Sequence, residues 1–325
     1  MTLTLNDPIF LGSLKLRNRL IMAPLQQYKG TPEALPTGHH IKHYKRRAGH
    51  VGLVILESTA ISSSGRLWKN DIGIFTEPHV EQLRKITEAI HEHHTPVFIQ
   101  LSHGGRKSSP EVTHSLVAPS AIAFDEHYGT PESLSLAGIK NIIEEYRLAA
   151  RRSIEAGFDG IEVHAAHGFL IHQFSSPLSN LRTDCYGGDS ENRSRFLKEV
   201  LTTIRSEVGH DYPVMIRISA TDYCQGGLTA EEWAKMLKPL ESMLDAIHVS
   251  TGGLLPIKPS EVYAAYQLPY AAVIKQHLNI PIIAVGKIHT RSLANRIIED
   301  QLADCIAIGS PFLENPDFAE GLLVN

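Results

Sequence analysis

The sequence predicts an α/β protein, a single (β/α)8 TIM barrel with residues 1–325 forming one domain. Three observations predict it: eight short, near-continuous apolar runs recur along the chain, stretches of helical periodicity separate them, and polar or glycine residues gather just past the runs. An apolar run without alternation marks a strand buried on both faces, as parallel sheets require. Strand–helix alternation selects a parallel α/β fold, and eight units favour a closed barrel over an open sheet. A length of 325 residues suits one barrel as well as two smaller domains.

In order, the runs cover 20–23, 51–57, 96–101, 160–164, 214–219, 246–250, 281–285 and 304–308. Between the third and fourth, Ile139, Ile142, Ile143, Tyr146, Ala149, Ala150 and Ile154 recur every three or four residues, and Gly157 stops that helix. Phe196, Leu197, Val200, Leu201, Ile204 and Val208 form a similar face that ends at Gly209. Thr229 and Glu232 fit a capping box ahead of Trp233, Met236, Leu237 and Leu240. Residues 102–137 read as a long loop rich in Pro, Gly and Ser, and a long βα loop in a barrel belongs to the functional face.

Composition removes several classes. The net charge of −4, with both signs mixed along the chain, offers no basic footprint for nucleic acid. Cys185, Cys224 and Cys305 are scattered, which argues against a disulfide scaffold, a zinc ribbon or an iron–sulfur cluster. No stretch approaches the ~18 apolar residues of a membrane span, and the first residues lack a secretory pattern. The expectation is a soluble, cytoplasmic protein with small-molecule substrates and neither nucleic acid nor membrane as partner.

Function in such barrels sits at the C-terminal strand ends. Gln100, His164 and Arg217 place polar or charged groups in apolar runs three, four and five. One such residue alone is as often a satisfied core group as a ligand contact; three consecutive strands doing so favour a shared ligand. Gly252, Gly253, Gly286 and Gly309 follow strands six, seven and eight, where glycine permits close backbone approach and free N–H groups for an anion. No GxGxxG or GxxxxGK[ST] pattern follows a strand, so the Rossmann and P-loop readings fail. His164 and His167 can aim two imidazoles at one oxygen that gains negative charge, a donor of that kind being worth roughly 2.7–4 kcal/mol. Metal binding is the rival reading, but carboxylates near His167 are lacking, so no metal is expected. The string His91-Glu-His-His94 reads as a charge match to a helix C-terminus.

At these residues the chain resembles the old yellow enzyme family, in particular its short bacterial NADPH dehydrogenases and ene-reductases. The resemblance rests on Leu16-Arg-Asn-Arg19, Met22-Ala-Pro24, Gln100-Leu-Ser-His-Gly-Gly-Arg-Lys107 and Ala118-Pro-Ser-Ala-Ile-Ala-Phe-Asp125. Its most specific piece is His164-Ala-Ala-His-Gly-Phe-Leu-Ile-His172, followed by Phe174-Ser-Ser-Pro-Leu-Ser-Asn180, Arg182-Thr-Asp184, Tyr186-Gly-Gly188 and Glu191-Asn-Arg193. The resemblance implies an FMN-bearing barrel with ping-pong chemistry: NAD(P)H reduces the flavin and leaves, and hydride then passes to an electron-poor alkene, a quinone or a similar acceptor. It implies that the backbone of Ala23, Pro24 and Leu25 contacts the flavin, that Ser58 and Gln100 meet its ring edge, and that Arg217 lies by its N1/O2 side. Gly286, Gly309 and Ser310 fall where the phosphate is held, with Gly252 at the same face. His164 and His167 would bind the substrate carbonyl oxygen, with Tyr28 helping to place the substrate.

The chain departs from the family's pattern at three positions. Gln26 stands where the short bacterial class usually carries a cysteine beside the flavin. Phe169 stands where a tyrosine usually gives the proton, so water or Tyr28 must serve, or alkene reduction is slow. Ser310 stands where an arginine usually clamps the phosphate, and its loss removes a bidentate partner for which Lys287 could substitute. The sequence stops at Asn325, before the tail that supplies an arginine to a neighbour's site in some relatives, which argues against an interlocked dimer and leaves a homo-oligomer open. Two other readings remain: a flavin reductase or NAD(P)H oxidase with weak alkene reduction, which Phe169 favours, and a flavin-binding barrel impaired in catalysis.

Overall fold

The computed structural model describes residues 3–113 and 115–323. Eight parallel strands close on themselves: β1 Leu20–Met22, β2 Leu53–Ala60, β3 Val97–Ser102, β4 Gly160–Ala165, β5 Val214–Ser219, β6 Ala246–Ser250, β7 Ile282–Ala284 and β8 Cys305–Ile308. Closure is explicit in the register, because β1 pairs with β2 through Ile21↔Leu53 and with β8 through Ile306↔Leu20. Helices α1 Gly38–Ala48, α2 Glu77–His91, α3 Leu136–Glu155, α4 Ser190–Val208, α5 Ala230–Leu237, α6 Leu268–His277 and α7 Arg291–Glu299 follow strands one to seven. The short helices Pro311–Glu314 and Phe318–Leu323 follow strand eight. All eight expected strands are present, most with bounds shifted by one or two residues.

Burial on both strand faces produces two cores. Between barrel and helices, Val54, Ile99, Ile161, Ile216 and Ile306 meet Ile139, Tyr146, Phe196 and Trp233. Inside the barrel lies a smaller cluster of Ile21, Leu53, Ile55, Phe98, Met215, Ala246, Ile283 and Cys305. The helix signals act locally as read: Gly209 ends α4 at φ +82°, where only glycine is free of strain, and Thr229 and Glu232 close both halves of the box at the start of α5. Among the described residues no helix is long and apolar enough to cross a membrane.

Several features escape the sequence pattern, among them a short ladder of 117–118 with 132–133 inside the expected long loop and two in the barrel itself. An antiparallel hairpin of Ile9–Leu11 and Leu14–Leu16 plugs the N-terminal end of the barrel with Leu11 and Leu16. Strand β2 runs three residues past the expected end at Glu57, through a bulge where Ile55 pairs with Phe98 but Ser58 pairs with Gln100. The extra residue shifts the phase, so that Ser58 keeps step with Gln100. The motif at 16–19 proves to be scaffolding. Arg17 donates to the carbonyls of Ala48 and Val51, Asn18 to that of His50, and Arg19 to that of Asp304, joining both neighbours to the start of β1. Likewise Arg182 pairs with Asp184 and donates to the carbonyls of Pro119 and Leu134, and Arg193 donates to that of Ser175.

Candidate functional site

At the C-terminal strand ends a cavity of about 380 Å³ opens between β1, β5, β6, β7 and β8. Ala23, Pro24 and Leu25 form one wall, Arg217 the floor, and Ser250, Thr251 and Gln267 a polar side. Gly286, Lys287, Ile288, His289, Gly309 and Ser310 close one end, and His167 also borders it. Glycine is required by its backbone at Gly286 and relieves a tight contact at Gly309. Gly286 sits at φ +111°, and a Cβ there would lie 2.9 Å from Gln267 Oε1; a Cβ on Gly309 would lie 3.1 Å from Leu25 Cδ2. Tyr28, His167 and Lys287 hold φ of 54°, 55° and 55°, a left-handed conformation that costs a non-glycine residue on the order of 1–3 kcal/mol and gathers at functional sites.

The imidazoles of His164 and His167 stand together, with ring centroids 5.3 Å apart and planes at 75°. Burial first, and the Arg217 charge second, hold both well below the ordinary histidine value. Both are therefore neutral near pH 7 and able to donate through one nitrogen each. His164 Nδ1 accepts from the Ala166 N–H at 3.2 Å, which puts its proton on Nε2. His167 Nε2 meets Ser250 Oγ at 2.8 Å, and its backbone N–H donates to Ser219 Oγ at 2.9 Å. Lys107 Nζ donates to the carbonyls of His167 and Gly253, at 2.9 and 3.0 Å, and so ties this loop to that of β6.

The NADH:flavin oxidoreductase / NADH oxidase family model matches residues 4–323. The chain belongs to that family. It is an FMN-dependent NAD(P)H dehydrogenase of the old yellow enzyme type. It is 41% identical over 305 residues to the NADPH dehydrogenase of Clostridium acetobutylicum, covering 93% of this chain and 89% of the relative. Among solved structures, 2-naphthoyl-CoA reductase superposes with a TM-score of 0.93 at 27% identity. That match covers 98% of this chain but only 51% of the reductase, so the chain spans about half that protein's length. Morphinone reductase superposes with a TM-score of 0.87 at 32% identity, covering 98% of this chain and 89% of the other.

The cavity of this flavin oxidoreductase suits FMN chemically. Arg217 Nε and both amide atoms of Gln26 are buried without a partner in the protein, and such groups are costly unless a ligand satisfies them. They are complementary to a flat ring with polar edges, while Lys287 and the two glycines suit an anionic group at the other end.

Not every expected residue borders this cavity: of the imidazole pair only His167 does, with His164 packed beside it, and Gln26 follows Leu25 of the lining without joining it. Gln100 is buried one layer away and donates to Glu162 Oε1 at 2.6 Å, and Ser58 Oγ lies 2.6 Å from Ser102 Oγ. Gly252 turns towards the Tyr223 ring, 3.1 Å from where its Cβ would stand, and lies outside the lining. Gly253 lets its loop pass the His167 backbone closely, 2.6 Å from Cα to where a Cβ would stand. Phe169 packs on His164 with centroids 4.7 Å apart, and Tyr28 lies further out, half exposed, against Trp68.

Sequence reasoning passed over the residues behind the flavin oxidoreductase site. Glu162 is fully buried, and His248 Nδ1 lies 2.8 Å from its Oε2, so Glu162 gathers Gln100, His248 and the field of Arg217 at one point. Both residues were visible as polar positions in apolar strands, each two places before a residue that reaches the site, and hence on the same face. Glu57 accepts from the Gln27 N–H at 3.0 Å and from the Tyr44 hydroxyl at 3.1 Å, fixing the loop after β1, and burial pushes its carboxyl up to about 8. His172 Nδ1 accepts from the Gly168 N–H at 3.0 Å and its Nε2 lies 2.8 Å from Asp222, which anchors the loop of the imidazole pair.

Proposed function

We propose that this flavoenzyme is an ene-reductase: an NADPH dehydrogenase whose acceptors are electron-poor alkenes, with quinones and similar small molecules as alternatives. When bound, FMN would supply the redox chemistry of a ping-pong cycle between NAD(P)H and the acceptor. The observation that carries the reading is the pair of neutral imidazoles beside a cavity floored by a buried arginine. The NADPH dehydrogenase relative at 41% identity supports NADPH as the donor. The same reading treats residues 1–325 as one barrel unit, places it in the cytoplasm and leaves a homo-oligomer open.

In this reading Ala23, Pro24 and Leu25 offer backbone groups to the ring and Gln26 and Arg217 bind its polar edge, while Ser58 and Gln100, one layer away on β2 and β3, meet it only by turning from Ser102 and Glu162. Gly286, Lys287, Gly309 and Ser310 hold the phosphate, Lys287 in place of an arginine. Gly252 acts only from outside the lining, by shaping the turn after β6 against the Tyr223 ring. His164 donates from Nε2 to the acceptor's carbonyl oxygen. Ser250 Oγ accepts from Gln267 Nε2 at 3.3 Å. Its own proton then goes to His167 Nε2, and His167 donates from Nδ1 to the same oxygen. Two donors at one oxygen stabilise the charge that gathers there when hydride reaches the β-carbon.

A proton must then reach the α-carbon. Phe169 has none to give, and Tyr28 stands behind the Trp68 ring. Burial raises the Tyr28 phenol above its ordinary value, with Glu57 adding to the shift, so it keeps its proton near pH 7. Solvent water is the nearer source, and Phe169 therefore favours slow alkene turnover as the second reading, closer to a flavin reductase or NAD(P)H oxidase. The test is anaerobic double-mixing stopped flow with NADPH and then 2-cyclohexenone. Colour lost in the first mix and restored in the second is the expected result; colour that the enone never restores removes the ene-reductase reading. Phe169→Tyr is expected to speed the second phase on the order of a hundredfold, the usual gain from a placed general acid. An unchanged rate would mean that proton supply does not limit it.

A further inference from the structure

Behind the cavity lies a buried acid that the proposed cycle does not use. Glu162 and Arg217 belong to neighbouring strands, β4 and β5, and Glu162 pairs with Met215, two residues before Arg217. Interior side chains of a barrel stand in layers, so Glu162 lies one layer below the Arg217 floor. Its carboxylate is wholly buried and takes two donors, Gln100 Nε2 at 2.6 Å on one oxygen and His248 Nδ1 at 2.8 Å on the other. His248 Nε2 has no partner, which fits a neutral imidazole with its proton on Nδ1. Among the described residues no salt bridge joins Glu162 to Arg217, yet the Glu162 charge is felt there. Gln100 and His248 thus keep the carboxylate off the guanidinium. Arg217 stays free for a ligand, with Nε unpaired, while an opposing charge stands behind it. Tyr266 also reaches Arg217, but burial raises its phenol, so it is neutral near pH 7.

We propose that Glu162 is a positioning residue that acts through Arg217 to set the reduction potential of bound FMN. It offsets part of the cation's pull on a reduced, anionic ring and so keeps the potential low. The inference rests on the proposed seat of the ring against Arg217. An unopposed arginine there would favour the reduced form and slow its reoxidation; a negative charge one layer down restores the driving force. At an effective dielectric near 20, a unit charge at that depth shifts the equilibrium roughly tenfold or more. The oxidised ring carries no charge, so the effect falls on the reduced form.

The test is the midpoint potential of the FMN-loaded protein at pH 7, read against reference dyes, in wild type, Glu162→Gln, Glu162→Asp and His248→Phe. Glu162→Gln keeps the shape and an acceptor for Gln100, and His248 can accept from the new amide by moving its own proton to Nε2. Its potential is expected to rise by at least about 30 mV, a tenfold change for a two-electron couple. Its reduction by NADPH should quicken and its reoxidation slow, opposite signs that a general loss of packing does not produce. Glu162→Asp keeps the charge and should stay near wild type; a rise equal to that of Glu162→Gln would assign the effect to packing and overturn the proposal. His248→Phe removes one donor and leaves more of the carboxylate's field on Arg217, so its potential should fall, and it decides the matter if Glu162→Gln does not fold. A potential unmoved in either deciding variant overturns the proposal. A wild type that binds no FMN removes the seat of the ring, and this inference with it.

Discussion

Replacing His164 by alanine is expected to slow reoxidation of the NADPH-reduced enzyme by 2-cyclohexenone by a factor on the order of 10²–10³. The size follows from position. The imidazole is 3% exposed, is held neutral by burial and the Arg217 field, and presents Nε2–H because Nδ1 is occupied by the Ala166 N–H. A donor fixed in a site of low dielectric acts on developing charge without reorganising, and alanine leaves that charge to water or to His167 alone. Phenol mimics the same oxygen at equilibrium, so its Kd should rise in parallel. The decisive readouts are single-turnover reoxidation and phenol titration of the flavin absorbance. Equal values in wild type and variant would take His164 out of the oxygen-binding role.

Arg217→Met carries the second large effect and acts on two quantities at once. Arg217 lies on β5 in register with His164 of β4 and His248 of β6, and it floors the cavity with Nε unpaired. Removing it takes a cation from the FMN ring edge, so the FMN Kd should rise on the order of a hundredfold; loss of a buried charged hydrogen-bond partner is worth about 1.5–3 kcal/mol. It also removes the cation whose field reaches Glu162, which Gln100 and His248 still contact, so the apoprotein should lose about 1–3 kcal/mol of stability. Urea denaturation of the apoprotein separates the two. Adding Glu162→Gln to Arg217→Met should recover much of the stability while FMN affinity stays low. An FMN Kd unmoved by Arg217→Met would place the ring elsewhere.

Much of the barrel was legible because parallel strands are buried on both faces and leave apolar runs that no surface element imitates. The hairpin at 9–16 was not, since strands of three residues are too short to show a period. Neither was the bulge in β2, which depends on pairing with β3. In the site, Gln100, His164 and Arg217 stood out as polar interruptions of apolar runs. Glu162 and His248 carry the same signal, but they lie in the layer below the strand ends, where a polar residue is as often a satisfied core group as a ligand contact. Trp68 and Lys107 lie on loops, where position comes from packing alone: Lys107 owes its place to two carbonyls and the faces of Phe124 and Phe169. The strings at 16–19, 182–184 and 191–193 that carry the family resemblance join loops and strand ends rather than bear chemistry.

The central claim is that one FMN lies across the barrel mouth between Arg217 and the imidazole pair. Titrating the apoprotein with FMN, followed by flavin fluorescence and visible absorbance and then by phenol, tests it most directly. The account predicts one FMN bound per chain, a yellow protein, and a phenol-induced change in flavin absorbance that His164→Ala weakens. A protein that remains colourless in excess FMN, or one that binds FMN but responds to phenol identically with and without His164, would contradict it.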